Sequence, residues 1–187
     1  MSFLISQLSN KTLTSSLFAN FPGTFNPHRI AVFGHSLGGS TAIITAARDA
    51  HVIGGLNFDG PVYDVETGFK KPFVFVASTR NETKDFPILP FWADLYPKID
   101  ASKMQLAVRN TQHYAFMDIT LLLMVNKVPA AFQPAVDAVF GTLSGRRVEK
   151  AMDDIMTGLM DLLFKGKQEK LEHVSKNEDV EVVRDDL

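Results

Sequence analysis

The chain has 187 residues, with 19 Lys+Arg against 21 Asp+Glu and a net charge of −2. This balance removes the electrostatic basis for nucleic-acid binding, so no nucleic-acid partner is expected. The absence of cysteine excludes disulfides, thiolate metal sites and a cysteine nucleophile. An apolar fraction of 45% is typical of a globular domain.

Four short apolar runs predict buried strands, and helical segments lie between them. Strands that alternate with helices favour an α/β fold with a mostly parallel sheet covered by helices on both faces. The predicted strands are 30–33, 52–58, 72–78 and 104–108, and the first predicted helix after a strand is 38–48.

The last third of the chain is predicted to be helical and then charged. An apolar helix is expected at 119–125, and an amphipathic helix with one apolar face at 146–164. Residues 166–187 are rich in charge and lack aromatic side chains, which favours a flexible tail. The predicted organisation is therefore one domain over 1–165 followed by a solvated tail.

Residues 34–38 read Gly-His-Ser-Leu-Gly and match the pattern G-x-S-x-G. This pattern places a serine on a sharp turn between a strand and a helix, where only glycines fit two residues away on either side. The predicted strand before Ser36 and the predicted helix after it supply that context. Ser36 is the candidate nucleophile, and the backbone N–H of Leu37 is the candidate donor to an oxyanion.

A serine nucleophile needs a histidine base and an acid that orients the base. His113 follows a late strand and is the best base among five histidines, the others being His28, His35, His51 and His173. The residues alone leave the acid open. Asp59 ends the second strand, whereas Glu82 and Asp85 lie after the third strand, where the acid more often falls in folds of this type.

The segments GHSLGGSTA, NFDGP and TQHYAFMD together resemble the plasma-type platelet-activating-factor acetylhydrolases, a branch of the α/β-hydrolase superfamily. In that family the turn reads GHS-x-GG, the acid ends the next strand, and the histidine opens an H-x-x-F-x-D run. The resemblance covers roughly residues 25–125. It implies the triad Ser36, Asp59 and His113, and so favours Asp59 over the two later acids.

The same resemblance implies a serine carboxylic-ester hydrolase that removes short acyl groups from phospholipids, without a metal or another cofactor. The expected partners are a small ester or phospholipid substrate and a lipid surface. The apolar stretch 116–125 is more simply a helix packed in the core, but it is also a candidate to line an acyl pocket or to contact a lipid surface. Thioesterase or acyltransferase activity uses the same turn, and an inactive remnant that serves as a binding module is the alternative from another class.

The length of the chain is short for this fold. Only 29 residues precede Ile30, and they predict helix and loop rather than the early strands and the loop that supplies a second oxyanion donor. We therefore expect a partial α/β-hydrolase fold, truncated at its N-terminal side, in which 30–34 becomes an exposed sheet edge open to self-association. The first 21 residues lack the features of a signal peptide, and the sequence leaves the compartment open.

Overall fold

The computed structural model describes residues 1–22, 26–63, 65–79 and 88–187. Short 3₁₀ turns at Tyr96–Lys98, His113–Phe116, Ala130–Phe132 and His173–Lys176 join the larger elements. In chain order these elements are α1 (Ser2–Leu8), α2 (Lys11–Leu17), β1 (Ile30–His35), α3 (Leu37–Arg48), β2 (Val52–Phe58), β3 (Phe73–Ser78), α4 (Ile88–Leu95), β4 (Lys103–Val108), α5 (Ile119–Val125), α6 (Gln133–Phe140), α7 (Gly145–Lys165), α8 (Glu169–Glu172) and β5 (Val180–Asp186).

The five strands form one sheet in the order β1-β2-β3-β4-β5. Strands β1 to β4 run parallel to one another, and β5 pairs with β4 in the antiparallel direction. The four parallel strands coincide, to within a few residues at their ends, with the four runs predicted from the sequence. The predicted fold class, a mostly parallel sheet with helices, is therefore confirmed.

Apolar side chains alternate between the two faces of the sheet and build a core on each face. On one face Val74, Val76 and their neighbours pack against α7. On the other face Phe73 and Phe75 pack against α3 and α4. The α7 residues of the first core are Val148, Ala151, Ile155, Leu159 and Leu163, and the α3 and α4 residues of the second are Ala42, Ile43, Ala46, Trp92 and Leu95.

Helix α7 is the longest described helix, with 21 residues. Its apolar side faces the sheet, while charged side chains such as Arg146 and Lys150 remain exposed, as the amphipathic pattern predicts. Among the residues that the structure describes, no helix combines the length and the apolar character needed to cross a membrane.

Strand β1 lies at one edge of the sheet, next to β2. The described residues before it form the two short helices α1 and α2. The side chain of Phe33 on this strand is 52% exposed. This arrangement agrees with the expected apolar edge at 30–34, while self-association through that edge stays a prediction.

The segment 166–187 is folded, so the prediction of a flexible tail is wrong. Its apolar residues Leu171, Val174 and Val180 are buried in the core beneath α7, and β5 pairs with β4 over its whole length. Charge dominates the composition of the segment because β5 is an edge strand whose other side chains are mostly exposed. Three buried apolar side chains and the backbone pairing hold it in place.

Candidate active site

Ser36 lies on the sharp turn between β1 and α3, as the glycine pattern predicts. Its φ of 57° and ψ of −123° are strained for a residue with a side chain. A Cβ on Gly34 would lie 2.4 Å from the backbone carbon of Gly38, so the turn closes only with glycine at that position. This turn geometry places Ser36 beyond the end of the strand, with its hydroxyl accessible at the edge of the sheet.

His113 is far from Ser36 in the sequence but lies next to it in the structure. It begins a 3₁₀ turn five residues after β4, and its Nε2 lies 3.0 Å from Oγ of Ser36 although 77 positions separate the two residues. The His113 side chain is 18% exposed. A neutral imidazole in this position accepts a hydrogen bond from the serine hydroxyl.

Asp59 follows β2 directly and is completely buried. Its Oδ2 accepts a hydrogen bond of 2.7 Å from Nδ1 of His113. This bond assigns the hydrogen of the neutral His113 ring to Nδ1 and leaves Nε2 free to accept from Ser36. The structure therefore brings together the three residues that the family resemblance selected.

Ser78, the last residue of β3, also binds the Asp59 carboxylate. Its hydroxyl donates to Oδ2 over 2.8 Å, and its backbone N–H donates to Oδ1 over 2.9 Å. Both carboxylate oxygens thus have donors inside the protein, which offsets the cost of burying the charge. The sequence analysis missed Ser78, although its place at the carboxyl end of the neighbouring strand was a usable signal.

The turn that carries Asp59 is held by Asn57 from β2. The Asn57 amide donates to the carbonyl of Gly60, and the Gly60 N–H donates back to the Asn57 side-chain oxygen, both over 2.8 Å. Trp92 of α4 donates to the same carbonyl over 2.8 Å. These buried bonds fix Asp59 at a φ of 51°, which an unsupported aspartate rarely adopts.

His35 contacts the base rather than standing apart from it. Its Nε2 lies 2.8 Å from the carbonyl oxygen of His113, and the two rings are 4.6 Å apart. Burial lowers the pKa of His35, and the neighbouring His113 lowers it further. The sequence placed His35 inside the turn but did not predict this contact.

Leu37 is the first residue of α3, and its side chain is 69% exposed. The first N–H groups of a helix have no carbonyl partner within the helix, so this N–H is available to an incoming oxygen.

The alternative acids Glu82 and Asp85 lie outside the described residues. Within the described part of the chain, no group of three histidine, aspartate or glutamate side chains could hold a metal ion.

The arrangement forms a continuous line of hydrogen bonds from a buried carboxylate through an imidazole to an accessible hydroxyl. Such a line can move the hydroxyl proton to the imidazole and stabilise the resulting positive charge. Together with the strained strand-to-helix turn and the mostly parallel sheet, it defines the class of protein: an α/β-hydrolase-like fold with the geometry of a nucleophilic serine.

Comparisons with known proteins identify the family within that class. The family model "Platelet-activating factor acetylhydrolase, isoform II" matches residues 7–181 of this chain. The match covers most of the sequence, including Ser36, Asp59 and His113, and ends at the start of β5. The chain belongs to this family.

Two individual proteins are similar to this chain. A protein of Arthroderma benhamiae described as a probable 1-alkyl-2-acetylglycerophosphocholine esterase is 30% identical over 135 residues, which are 65% of this chain and 34% of that protein. The solved structure of a ferulic acid esterase from Streptomyces cinnamoneus has a TM-score of 0.74 and 22% identity, and supports the fold. The match covers 97% of this chain but 55% of that structure, so the chain spans about half or less of these relatives.

Proposed function

We propose that this protein is a serine carboxylic-ester hydrolase, with Ser36 as nucleophile, His113 as general base and acid, and Asp59 as the acid that orients His113. The observation that carries the proposal is the pair of hydrogen bonds that His113 makes: its Nδ1 donates to Asp59, and its Nε2 accepts from the Ser36 hydroxyl. Ester hydrolysis needs this set of groups and no redox cofactor.

The first half of the proposed reaction forms an acyl-enzyme. His113 Nε2 takes the proton of Ser36 as Oγ attacks the ester carbonyl, and the carbonyl oxygen becomes negatively charged. The N–H of Leu37 donates to that oxygen. His113 then gives its proton to the leaving alcohol as the bond between the acyl carbon and the alcohol oxygen breaks.

The second half releases the acid and regenerates Ser36. A water molecule gives a proton to His113 and attacks the acyl carbon. The bond between that carbon and Ser36 Oγ then breaks, and His113 returns the proton to Oγ, which restores the hydroxyl. Asp59 stays ionised throughout and stabilises the positive imidazole. Ser78, which binds both Asp59 oxygens, holds the carboxylate in place.

The proposed substrate class is a phospholipid or small ester with a short acyl group. Its support is the family assignment together with the apolar side chains beside the reacting residues in the chain. Leu37, Tyr114 and Met117 are 69%, 51% and 46% exposed, so an apolar substrate or a lipid surface would find apolar contacts next to Ser36 and His113.

Labelling with a fluorophosphonate probe tests the nucleophile. The purified chain should bind the probe covalently, and Ser36→Ala should abolish labelling. Ser175 is exposed and remote in sequence, so Ser175→Ala is the matched control and should label like wild type. Equal labelling of wild type and Ser36→Ala would contradict the assignment, and no labelling of either would favour an inactive remnant.

A substrate comparison tests the acyl preference. We expect faster hydrolysis of 1-alkyl-2-acetylglycerophosphocholine than of the analogue with a 16-carbon acyl group on the same position, and no loss of rate with a calcium chelator. Release of the long acyl group at an equal rate would contradict the short-acyl preference. Transfer of the acyl group to an added alcohol in place of water would instead support an acyltransferase.

A further inference from the structure

His35 makes a contact with His113 that the proposed triad does not use. It is the last residue of β1 and the immediate neighbour of Ser36, yet its Nε2 reaches the backbone carbonyl of His113, 78 positions away, over 2.8 Å. The two imidazole rings lie 4.6 Å apart at an interplanar angle of 41°. The nucleophile's own strand therefore contacts the residue that must deprotonate the nucleophile.

The contact with the His113 carbonyl shows which nitrogen of the His35 ring carries a hydrogen. A carbonyl oxygen only accepts hydrogen bonds, so Nε2 of His35 carries the hydrogen and donates it. The ring is half-buried and also faces Phe116, with ring centres 6.0 Å apart. Because burial and the nearby His113 both lower its pKa, His35 is neutral at pH 7 and adds no like charge beside the imidazolium that forms on His113.

His113 needs such a tether because of where it lies in the fold. It is not part of a strand: β4 ends at Val108, and His113 opens a 3₁₀ turn on the following loop. The hydrogen bond from its ring to Asp59 fixes the imidazole but not the His113 backbone. Backbone bonds to Phe140 and Leu143 hold the loop just before His113, and His35 binds the His113 carbonyl itself. A displacement of about 1 Å in a reacting group is enough to lower turnover about 100-fold.

We propose that His35 is a positioning residue for His113: its Nε2–H holds the His113 backbone while Asp59 holds the ring, so that His113 Nε2 stays aimed at Ser36 Oγ. The inference rests on the proposed function of the Ser36, His113 and Asp59 set. His35 and Ser36 are adjacent, so any movement at the end of β1 carries the tether and the nucleophile together. The backbone at the end of β1 therefore fixes the distance between His113 and Ser36.

Two amide variants separate the hydrogen bond from the imidazole ring. In His35→Gln the side-chain N–H lies about as far from the backbone as Nε2 of histidine, so it still reaches the His113 carbonyl. In His35→Asn the same amide is one methylene shorter and falls short. We expect His35→Asn to lower kcat about 10-fold to 100-fold with little change in KM, and His35→Gln to stay within about threefold of wild type.

The exposed His173 provides the control, because His173→Asn makes the same substitution away from the site and should leave kcat unchanged. Thermal unfolding of all variants checks that a lower kcat does not follow from lost structure. If His35 had only a structural role, both amide variants would have a lower unfolding temperature and a smaller active fraction, and their kcat values would not differ from each other. Equal kcat values for His35→Asn and His35→Gln would overturn the proposal.

A second readout does not depend on turnover. The proton shared by His113 Nδ1 and Asp59 should give a separate far-downfield proton NMR signal in the wild-type chain. We expect the signal to persist in His35→Gln and to broaden or vanish in His35→Asn, because the untethered loop exchanges its proton with water. An unchanged signal in His35→Asn would overturn the proposal. Absence of ester turnover in wild type contradicts the proposed function alone, and the NMR comparison then decides the role of His35.

Discussion

Asp59 Oδ2 accepts a 2.7 Å hydrogen bond from His113 Nδ1, and the two residues are 54 positions apart in the chain. The parallel order of β2, β3 and β4 makes this contact, because the carboxyl ends of all three strands meet at one edge of the sheet. Asp59 follows β2 and His113 follows β4, with β3 between them. Ser78 at the end of β3 fills that gap and binds the carboxylate.

Replacing Asp59 tests its role as the orienting acid. We expect Asp59→Asn to lower kcat by about 10⁴, because an amide at this position stabilises the wrong tautomer of His113 and cannot stabilise its positive form. Ester turnover and probe labelling measure the effect, with the exposed Asp153→Asn as control. Full activity in Asp59→Asn, together with loss in Glu82→Gln or Asp85→Asn, would move the acid to the later loop.

Ser78 is predicted to act through Asp59. We expect Ser78→Ala to lower kcat about 5-fold to 30-fold, since the buried carboxylate loses a donor worth about 1–2 kcal/mol while the backbone N–H at the same position remains. Steady-state kinetics provides the measurement, and Ser175→Ala the reference. Unchanged kcat in Ser78→Ala would show that the backbone bond alone holds Asp59.

The two glycines that flank Ser36 are predicted to differ in their tolerance of a side chain. A Cβ at Gly34 would meet the backbone of Gly38 at 2.4 Å, so Gly34→Ala should destabilise the protein by about 1–3 kcal/mol. The expected need for glycine does not hold at Gly38: a Cβ there meets nothing within 4 Å, and alanine favours a helix over glycine. Urea unfolding should therefore show Gly38→Ala at or above wild-type stability; equal losses would contradict the turn geometry.

The folded C-terminal segment is predicted to contribute to stability. Leu171 is fully buried beneath α7, so Leu171→Ala should lower the free energy of unfolding by about 2–5 kcal/mol. Val183 lies in the same segment but is 47% exposed, and Val183→Ala should change stability by less than about 0.5 kcal/mol. Similar small effects in both variants would mean that the segment is not packed in solution.

A charged cluster joins this segment to α7 and should give a pH-dependent contribution. Lys165 and Lys170 donate to Asp161 over 2.6 and 2.9 Å and lower the pKa of Asp161 to about 2. A lowered pKa stabilises the folded state above the ordinary aspartate range near pH 4, and this contribution is lost as pH falls towards 2. The double variant Lys165→Met/Lys170→Met should therefore unfold at a lower temperature than wild type at pH 7.

The same double variant should approach wild type as pH falls from about 4 to 2, because Asp161 becomes protonated in both proteins. Thermal unfolding followed across this range measures the difference. Lys11→Met, at an exposed position in α2, controls for the loss of positive charge. A difference in unfolding temperature that stays constant with pH would contradict the role of Asp161.

Local sequence was sufficient for much of the fold. The four apolar runs predict the parallel strands because buried strands need continuous apolar side chains over a few residues, which is visible without tertiary contacts. The pattern at 34–38 predicts the Ser36 turn for the same reason, because the steric clash that excludes a side chain is between residues close together in the chain. The short distance from Gly34 to the backbone of Gly38 is such a contact. His113 could be selected because it follows a predicted strand.

Contacts between residues far apart in the chain could not be predicted from local sequence patterns. Composition made 166–187 look solvated, whereas three buried apolar residues and pairing with β4 fold it. Ser78 lies in no motif, and the G-x-S-x-G pattern does not specify the residue at position 35. The roles of Ser78 and His35 depend on which loops lie beside them.

The sequence by itself determined the strands, the strained serine and the family resemblance, because each depends on residues close together in the chain. Only the tertiary structure decided that Asp59 contacts His113, that Ser78 and His35 support them, and that the C-terminal segment completes the sheet. The physical reason is that hydrogen-bond partners and burial depend on how the strands are ordered in space, and that order is a property of the whole fold.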